Sequence, residues 1–356
     1  MEVKKLDLMT KLDIISRNTE EIITREDLKI LFETNTSPKG YIGVEPSGLF
    51  HIGWIIWVNK LKDLINVGVK MIFLEATWHA WINDKFNGDI KKINICAEYI
   101  EHCLRALNVD TSKITFIKAD SLIEDKRYWE GVLRIAKSLT LSRIKRAVTI
   151  MGRKEDETIM DFSKLIYPCM QVEDIFYLDL DICLGGMDQR RAHVLAREIA
   201  EKYHYKKPIA IHTPILPSLQ GSGRMDSEEK IIEYKMSKSK PETCIFIHDS
   251  PEEIKNKINR AYCPPKEIEG NPIIEIAKKI ILYNNREVVI ERPKKYGGDI
   301  IVNSADELIS MYSKGELHPL DLKNFVSIEL IKMLSNVREY FEKNENAKYL
   351  LNQLTF

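Results

Sequence analysis

Five short apolar runs, spaced along the first 212 residues, constrain this chain more than any other feature: Gly40 to Val44, Val69 to Leu74, Ile114 to Ile117, Leu180 to Leu184 and Ile209 to His212. Between them lie stretches with helical spacing, over roughly 89–107, from Tyr128 to about Ile150 and over roughly 164–178, with a further helix opened by Gly185-Gly186. Strands that alternate with helices imply an α/β fold with a parallel sheet, because parallel neighbours need a crossover between them. An N-terminal arm over 1–34 precedes the first strand. It carries Leu8, Leu12, Ile15, Ile22, Ile23, Leu28 and Leu31 at helical spacing, and Thr24 stands before Glu26 and Asp27 as a helix start.

After His212 the pattern changes. Residues 218–240 are polar, rich in Gly and Ser and studded with lysine, which predicts a mobile loop or linker. Beyond them, Ser250-Pro251-Glu252-Glu253 is a capping box with Pro at the first helical position, and Ser304 with Glu307 predicts a second. Leu322, Phe325, Val326, Leu330, Met333, Leu334, Val337 and Phe341 then hold an i, i+3, i+4 stripe, so the C-terminal third is expected to be helical. The boundaries implied are 1–34, 35–220, 221–248 and 249–356.

Composition narrows the function. At 356 residues the chain is long enough for about two domains of roughly 150 residues, and 44% hydrophobic residues exclude disorder. Lys and Arg number 53, as do Asp and Glu, so the net charge is zero and any nucleic-acid contact must come from local patches. The six cysteines form no CxxC pair and no zinc spacing, so they are expected to be inert thiols in a reducing compartment, with no metal held by the protein. His79 and His102 lack metal-ligand neighbours at suitable spacing and are taken as structural. No apolar run approaches the ~18 residues of a membrane span, and the N-terminus lacks a signal-peptide core. The expectation is a soluble cytoplasmic protein with no membrane partner.

Two segments carry chemistry. In Gly40 to Trp54 (GYIGVEPSGLFHIGW) a strand ends in a Pro-Ser-Gly turn that feeds a helix, whose first N–H groups make an anion site with Ser47 and His51 as added donors. Gly53 removes a side chain where a flat base can approach. Far downstream, Lys235-Met236-Ser237-Lys238-Ser239-Lys240 brings three lysines and two hydroxyls able to neutralise a polyphosphate. A third feature is Tyr167, Gln171 and Asp174, at i, i+4 and i+7 on one helix face, a spacing that lines a polar pocket.

The first two segments resemble the HIGH and KMSKS signatures of class I aminoacyl-tRNA synthetases. With YPCMQVED from Tyr167, GGMDQR from Gly185 and HPLDLKN from His318, residues 10–340 are similar to the archaeal and eukaryotic type of tyrosyl-tRNA synthetase. The resemblance implies a Rossmann-like parallel-sheet catalytic domain with a C-terminal all-helical anticodon-binding domain. It implies that Tyr167, Gln171 and Gln189 hold the ammonium end of tyrosine and that Tyr41 and Asp174 bond its phenolic hydroxyl. Glu45, His51, Gly53, Asp188, Lys235, Met236, Ser237 and Lys238 match the ATP-binding set, with Ser47, His51, Lys235 and Lys238 serving catalysis. Arg146 and Arg190 match readers of the first acceptor base pair, and Tyr296, His318 and Asp321 match positions around the first anticodon base.

The implied partners are L-tyrosine, ATP with Mg2+ and tRNA(Tyr), acting in a homodimer. One departure stands out, since the last residue of HIGH is Trp54, where relatives place a His or Asn that contacts the nucleotide. Trp54 is expected to pack in the core instead. Two alternatives stay open on the sequence: a tryptophan enzyme of the same class, and a synthetase-like RNA-binding protein that has lost activation.

Overall fold

The computed structural model describes residues 6–152, 161–221, 234–238, 240–284 and 286–355. The chain divides into two compact units, one of residues up to Gly48, Trp57–Pro214 and from Tyr349 on, the other of Leu49–Ile56 and Ile215–Lys348.

The first unit is built on α1 (Leu8–Ser16), β1 (Glu21–Ile23), α2 (Arg25–Thr34), β2 (Lys39–Val44), most of α3 (Ile55–Asn66), β3 (Lys70–Glu75), α4 (Thr77–Ile82), α5 (Ile90–Ala106), β4 (Ile114–Lys118), α6 (Ala119–Ile123), α7 (Lys126–Ser138), α8 (Leu141–Ala147), α9 (Ser163–Tyr177), β5 (Ile182–Gly186), α10 (Arg190–Tyr203) and β6 (Ile209–Thr213). All five predicted strands are present. They join β1 in one sheet ordered β1-β6-β5-β2-β3-β4, parallel except for β1. The order runs outward in both directions from the β2 and β5 pair, where Tyr41 stands opposite Cys183. Their carboxyl ends therefore form the crevice in which such sheets bind ligands.

Two details depart from the sequence reading. The arm is not wholly helical, since Glu21–Ile23 pairs antiparallel with β6. A buried lysine anchors it: Lys60 Nζ donates to Ile15 O at 2.8 Å and Arg17 O at 2.5 Å and meets Asp63 at 3.3 Å. These carbonyls close α1, where a cation suits the helix dipole. The stretch from Tyr128 to Ile150 breaks at Leu139, which is extended, and Thr140 caps α8 by accepting from Arg143 N. Gly40 shows how tightly β2 packs, because a Cβ there would lie 2.8 Å from Met71 Sδ.

In the second unit His51 bridges Phe246, flanked by Ile52 N to Ile245 O at 2.9 Å and Ile247 N to Phe50 O at 3.0 Å. Pro217 bridges Lys235 in the same way. Helices Pro251–Arg260, Ala305–Lys314, Pro319–Met333 and Ser335–Lys343 follow. Ser250 and Glu253 make the expected capping box, whereas Glu307 reaches past Ser304 to bond Asn303 N at 2.7 Å. The apolar stripe is shared by two helices that meet at Leu334, and Leu322, Val326, Leu330, Leu334 and Val337 are fully buried. The helical expectation holds with one addition. Val288–Ile290 (β7) and Ile300–Val302 (β8) form an antiparallel hairpin around Pro293 and the positive-φ glycines Gly297 and Gly298.

Candidate active site

In the first unit, α9 carries the helix face singled out in the sequence, and all three residues turn inward. Asp174 is 2% exposed and Tyr167 5%. Asp174 Oδ1 accepts from the Tyr128 hydroxyl at 2.7 Å, and Oδ2 lies 3.1 Å from His79 Nε2, an ion-pair distance off the line of a good hydrogen bond. Burial opposes charge on His79, yet Asp174, with Glu45 behind it, outweighs that and raises the imidazole above its ordinary range. The Tyr167 ring stands edge-on to His79 at 5.1 Å, and its hydroxyl donates to Glu45.

Glu45 follows β2, and Asn83 Nδ2 donates to both its oxygens at 3.1 Å. Gln171 Nε2 donates to Gln189 Oε1 at 3.0 Å, and Gln189 Nε2 to Ile150 O at 3.1 Å. Gln171 Oε1 is buried with no hydrogen-bond partner among the described residues. Tyr41 on β2 lies among these groups. Burial first, and then the Cys183 and Asp174 charges, push its phenol well above the ordinary range. The structure thus brings Tyr41, Tyr167, Gln171, Asp174 and Gln189 together, and Glu45 joins this group through Tyr167.

Ser47, in the turn that follows, precedes Gly48, whose φ of +124° suits only glycine. Asp188 lies in the turn Met187–Gln189 that links β5 to α10. In the second unit His51 is 7% exposed and its Nδ1 has no partner among the described residues. Burial, then Lys238 and Lys235, hold this imidazole well below its usual range, so it is neutral. Gly53 is required by His51 itself, since a Cβ there would fall 2.9 Å from the ring.

Trp54 does not pack in the core. It is half-buried, with Phe50 edge-on at 4.9 Å and Lys238 Nζ 3.8 Å from its ring centroid. Met236 is buried and its N–H donates to Leu216 O at 2.8 Å, which anchors the lysine segment; Ser237 follows it. Ser239 lies outside the described residues. Among those described, no group of three or more His, Cys, Asp or Glu is arranged to hold a metal ion.

Of the remaining candidates, Arg146 and Arg190 belong to the first unit, where Arg191, next to Arg190, donates to Arg146 O at 2.6 Å, and Tyr296, His318 and Asp321 belong to the second. Arg146 is exposed on α8, in a basic run of which Arg153 and Lys154 lie outside the described residues. Arg190 opens α10 and is gripped by Glu21, with Nε to Oε2 at 2.8 Å and Nη2 to Oε1 at 2.9 Å. Tyr296 is 62% exposed between β7 and β8, with Lys295 Nζ 4.7 Å from its ring. His318 caps helix Pro319–Met333 by accepting from Leu320 N, and Asp321 lies in that helix's first turn.

Sequence reasoning missed His79, Tyr128 and Glu21. The search for metal spacing left His79 as structural, but it faces the pocket carboxylate. Tyr128 comes from α7, and no spacing in the sequence links it to Asp174. Glu21 belongs to a strand hidden inside the helical arm.

Residues 33–335 match the family described as tRNA synthetases class I (W and Y). The chain is 51% identical to the tyrosine–tRNA ligase of Sulfurisphaera tokodaii over 99% of its own length and 98% of that protein, and 50% identical to that of Aeropyrum pernix over 94% and 93%. The crystal structure of tyrosyl-tRNA synthetase from Aeropyrum pernix superposes with a TM-score of 0.88 at 45% identity, covering 98% of this chain and 99% of that one. The Pyrococcus horikoshii enzyme complexed with L-tyrosine gives 0.89 at 40% identity, covering 98% of this chain and all of that one. The fold, the pocket and these relatives agree, and the chain belongs to the class I tRNA synthetases of the tryptophan and tyrosine group.

Proposed function

We infer that the chain is a tyrosine–tRNA ligase, which joins L-tyrosine to tRNA(Tyr) at the expense of ATP. The observation that carries the reading is Asp174, a carboxylate buried beside Tyr41 and held between Tyr128 and His79. Tyr128 fills only part of what this buried carboxylate can accept, and the phenolic hydroxyl of tyrosine supplies a further donor that phenylalanine lacks. Tryptophan, the other substrate of the group, has an N–H but no hydroxyl, and the relatives named above are tyrosine enzymes. The orphan Gln171 Oε1, with Gln189 and Tyr167, suits the ammonium group.

In the reaction the carboxylate oxygen of tyrosine attacks the α-phosphorus of ATP. The bond to the bridging oxygen breaks, and pyrophosphate leaves with the electron pair. A hydroxyl of the terminal tRNA ribose then attacks the tyrosyl carbonyl and AMP departs. No side chain is a nucleophile, so the protein contributes position and charge stabilisation.

Ser47, His51 and Gly53 receive the phosphates and base, Asp188 meets the ribose, and Glu45, Met236 and Ser237 complete the nucleotide set, a reading supported by their match to the family's signatures. Lys235 and Lys238 meet the charge that develops on pyrophosphate. Magnesium enters with ATP as its phosphate counter-ion. Arg146 and Arg190 read the acceptor end of tRNA, and Tyr296, His318 and Asp321 read the first anticodon base. The active form is a homodimer of the cytoplasm; no helix among the described residues is long and apolar enough to cross a membrane.

The test is exchange of labelled pyrophosphate into ATP with each standard amino acid. Tyrosine alone should support it. Exchange driven by tryptophan would make the chain the other member of its group, and no exchange at all would leave an RNA-binding protein without activation.

A further inference from the structure

The residue at the end of the HIGH signature has no obvious duty as a tryptophan, because indole offers a phosphate one N–H and no positive charge. Its surroundings supply one. Lys238 Nζ stands 3.8 Å from the Trp54 ring centroid, well inside the ~6 Å over which an aromatic face attracts a cation. Phe50 meets the indole edge-on at 4.9 Å and 83°, and His51 lies tilted at 5.5 Å and 49°, so the ring is braced by its neighbours in sequence. The backbone N–H of Trp54 donates to His51 O at 3.0 Å, which fixes the turn. An imidazole here would join Lys235, Lys238 and His51 in a cluster where every protonated ring repels its neighbours. An indole carries no titrating proton and presents a face that cations favour.

We propose that Trp54 is a positioning residue for Lys238: the indole face holds the lysine ammonium beside His51, and Trp54 contributes to tyrosine activation through that lysine rather than by touching the nucleotide. The inference rests on the reading of Lys238 as the group that meets pyrophosphate. The lysine side chain has four rotatable bonds and loses much freedom when ordered. Holding its ammonium against a braced ring meets part of that cost before ATP binds. The gain is realised when charge builds on the leaving group, so it belongs in turnover and not in tyrosine affinity.

A double-mutant cycle in tyrosine-dependent pyrophosphate exchange tests this, using wild type, Trp54→Leu, Trp54→Phe, Lys238→Ala and each Trp54 variant combined with Lys238→Ala. Trp54→Leu should lower kcat about 3- to 30-fold, the span a cation–π contact supports, with the KM for tyrosine changed less than about twofold. Trp54→Phe keeps an aromatic face and should lose less. Both losses should vanish in the Lys238→Ala background. Equal losses in both backgrounds, or a raised tyrosine KM at unchanged kcat, would overturn the inference and make Trp54 a packing residue. An Lys238→Ala enzyme as active as wild type would instead remove the reading of the lysine segment, and the inference with it.

Discussion

Glu173 lies one residue before Asp174 on the helix that bears the amino-acid pocket, and it lets a burial energy be read as a pH dependence. It is 8% exposed, and the space for its carboxyl exists because residue 131 on α7 is glycine: a Cβ there would fall 2.1 Å from Glu173 Cδ. Burial, then the Asp174 charge, push this carboxyl from 4.5 up to about 7, with Arg134 opposing. The folded-state value is raised, so between those limits the folded chain keeps a proton that the unfolded chain releases. Stability must therefore fall as pH rises through that window. At about 1.36 kcal/mol for each pH unit between the two values, and allowing for water that screens the carboxyl in part, the loss is on the order of 2 to 3 kcal/mol, complete by about pH 8. Glu173→Gln keeps the shape without the charge. Urea unfolding of both proteins at about pH 5 and about pH 8 should show the variant gaining on wild type by roughly that amount across the interval. A difference between the two proteins that stays constant with pH to within about 1 kcal/mol would refute the argument.

Other consequences follow from the pocket and from the C-terminal unit. Asp174→Ala should cut the preference for tyrosine over phenylalanine in pyrophosphate exchange by about 100-fold or more, because no buried acceptor then demands the hydroxyl; a preference left intact would place the hydroxyl elsewhere. Asp321→Ala should relax the choice of guanine at the first anticodon position by ~1 to 3 kcal/mol, by analogy with base-edge contacts in DNA, while leaving exchange unchanged. Aminoacylation of anticodon-variant transcripts reads this out, and full retention of the guanine preference would count against Asp321 as the reader.

The fold is legible in the sequence wherever a local pattern decides it. Short apolar runs between helical stretches locate all five parallel strands, and the i, i+4, i+7 spacing of Tyr167, Gln171 and Asp174 puts three groups on one inward face. What escapes depends on partners distant in sequence. Glu21–Ile23 becomes a strand because β6 offers it an open edge, an effect of tertiary pairing that outweighs a helix-like spacing. Tyr128 reaches Asp174 across 46 residues with nothing local to mark it, and His79 meets the same carboxylate from still farther along the chain. Trp54 offers the sequence reader only its bulk, and bulk suggests burial. Its half-open face becomes intelligible only once Lys238, far along the chain, is seen over it.

The charge arrangement around His51 explains why lysines rather than histidine should carry the pyrophosphate. Burial and the two neighbouring lysines keep the imidazole neutral, so it can donate one hydrogen bond but cannot add charge. A permanently buried cation at that place would attract ATP and departing pyrophosphate alike, lowering KM without raising kcat. Lysines on long side chains avoid this, because their ammonium groups can move toward the phosphates as charge develops there. Flexibility alone would spread them over many rotamers, and the indole under Lys238 counters that loss without fixing a second charge in the site. On this reading the tryptophan and the lysine form a single functional pair. A residue that replaces the tryptophan must be judged by what it does to the lysine's position, not by its own ability to bond a phosphate.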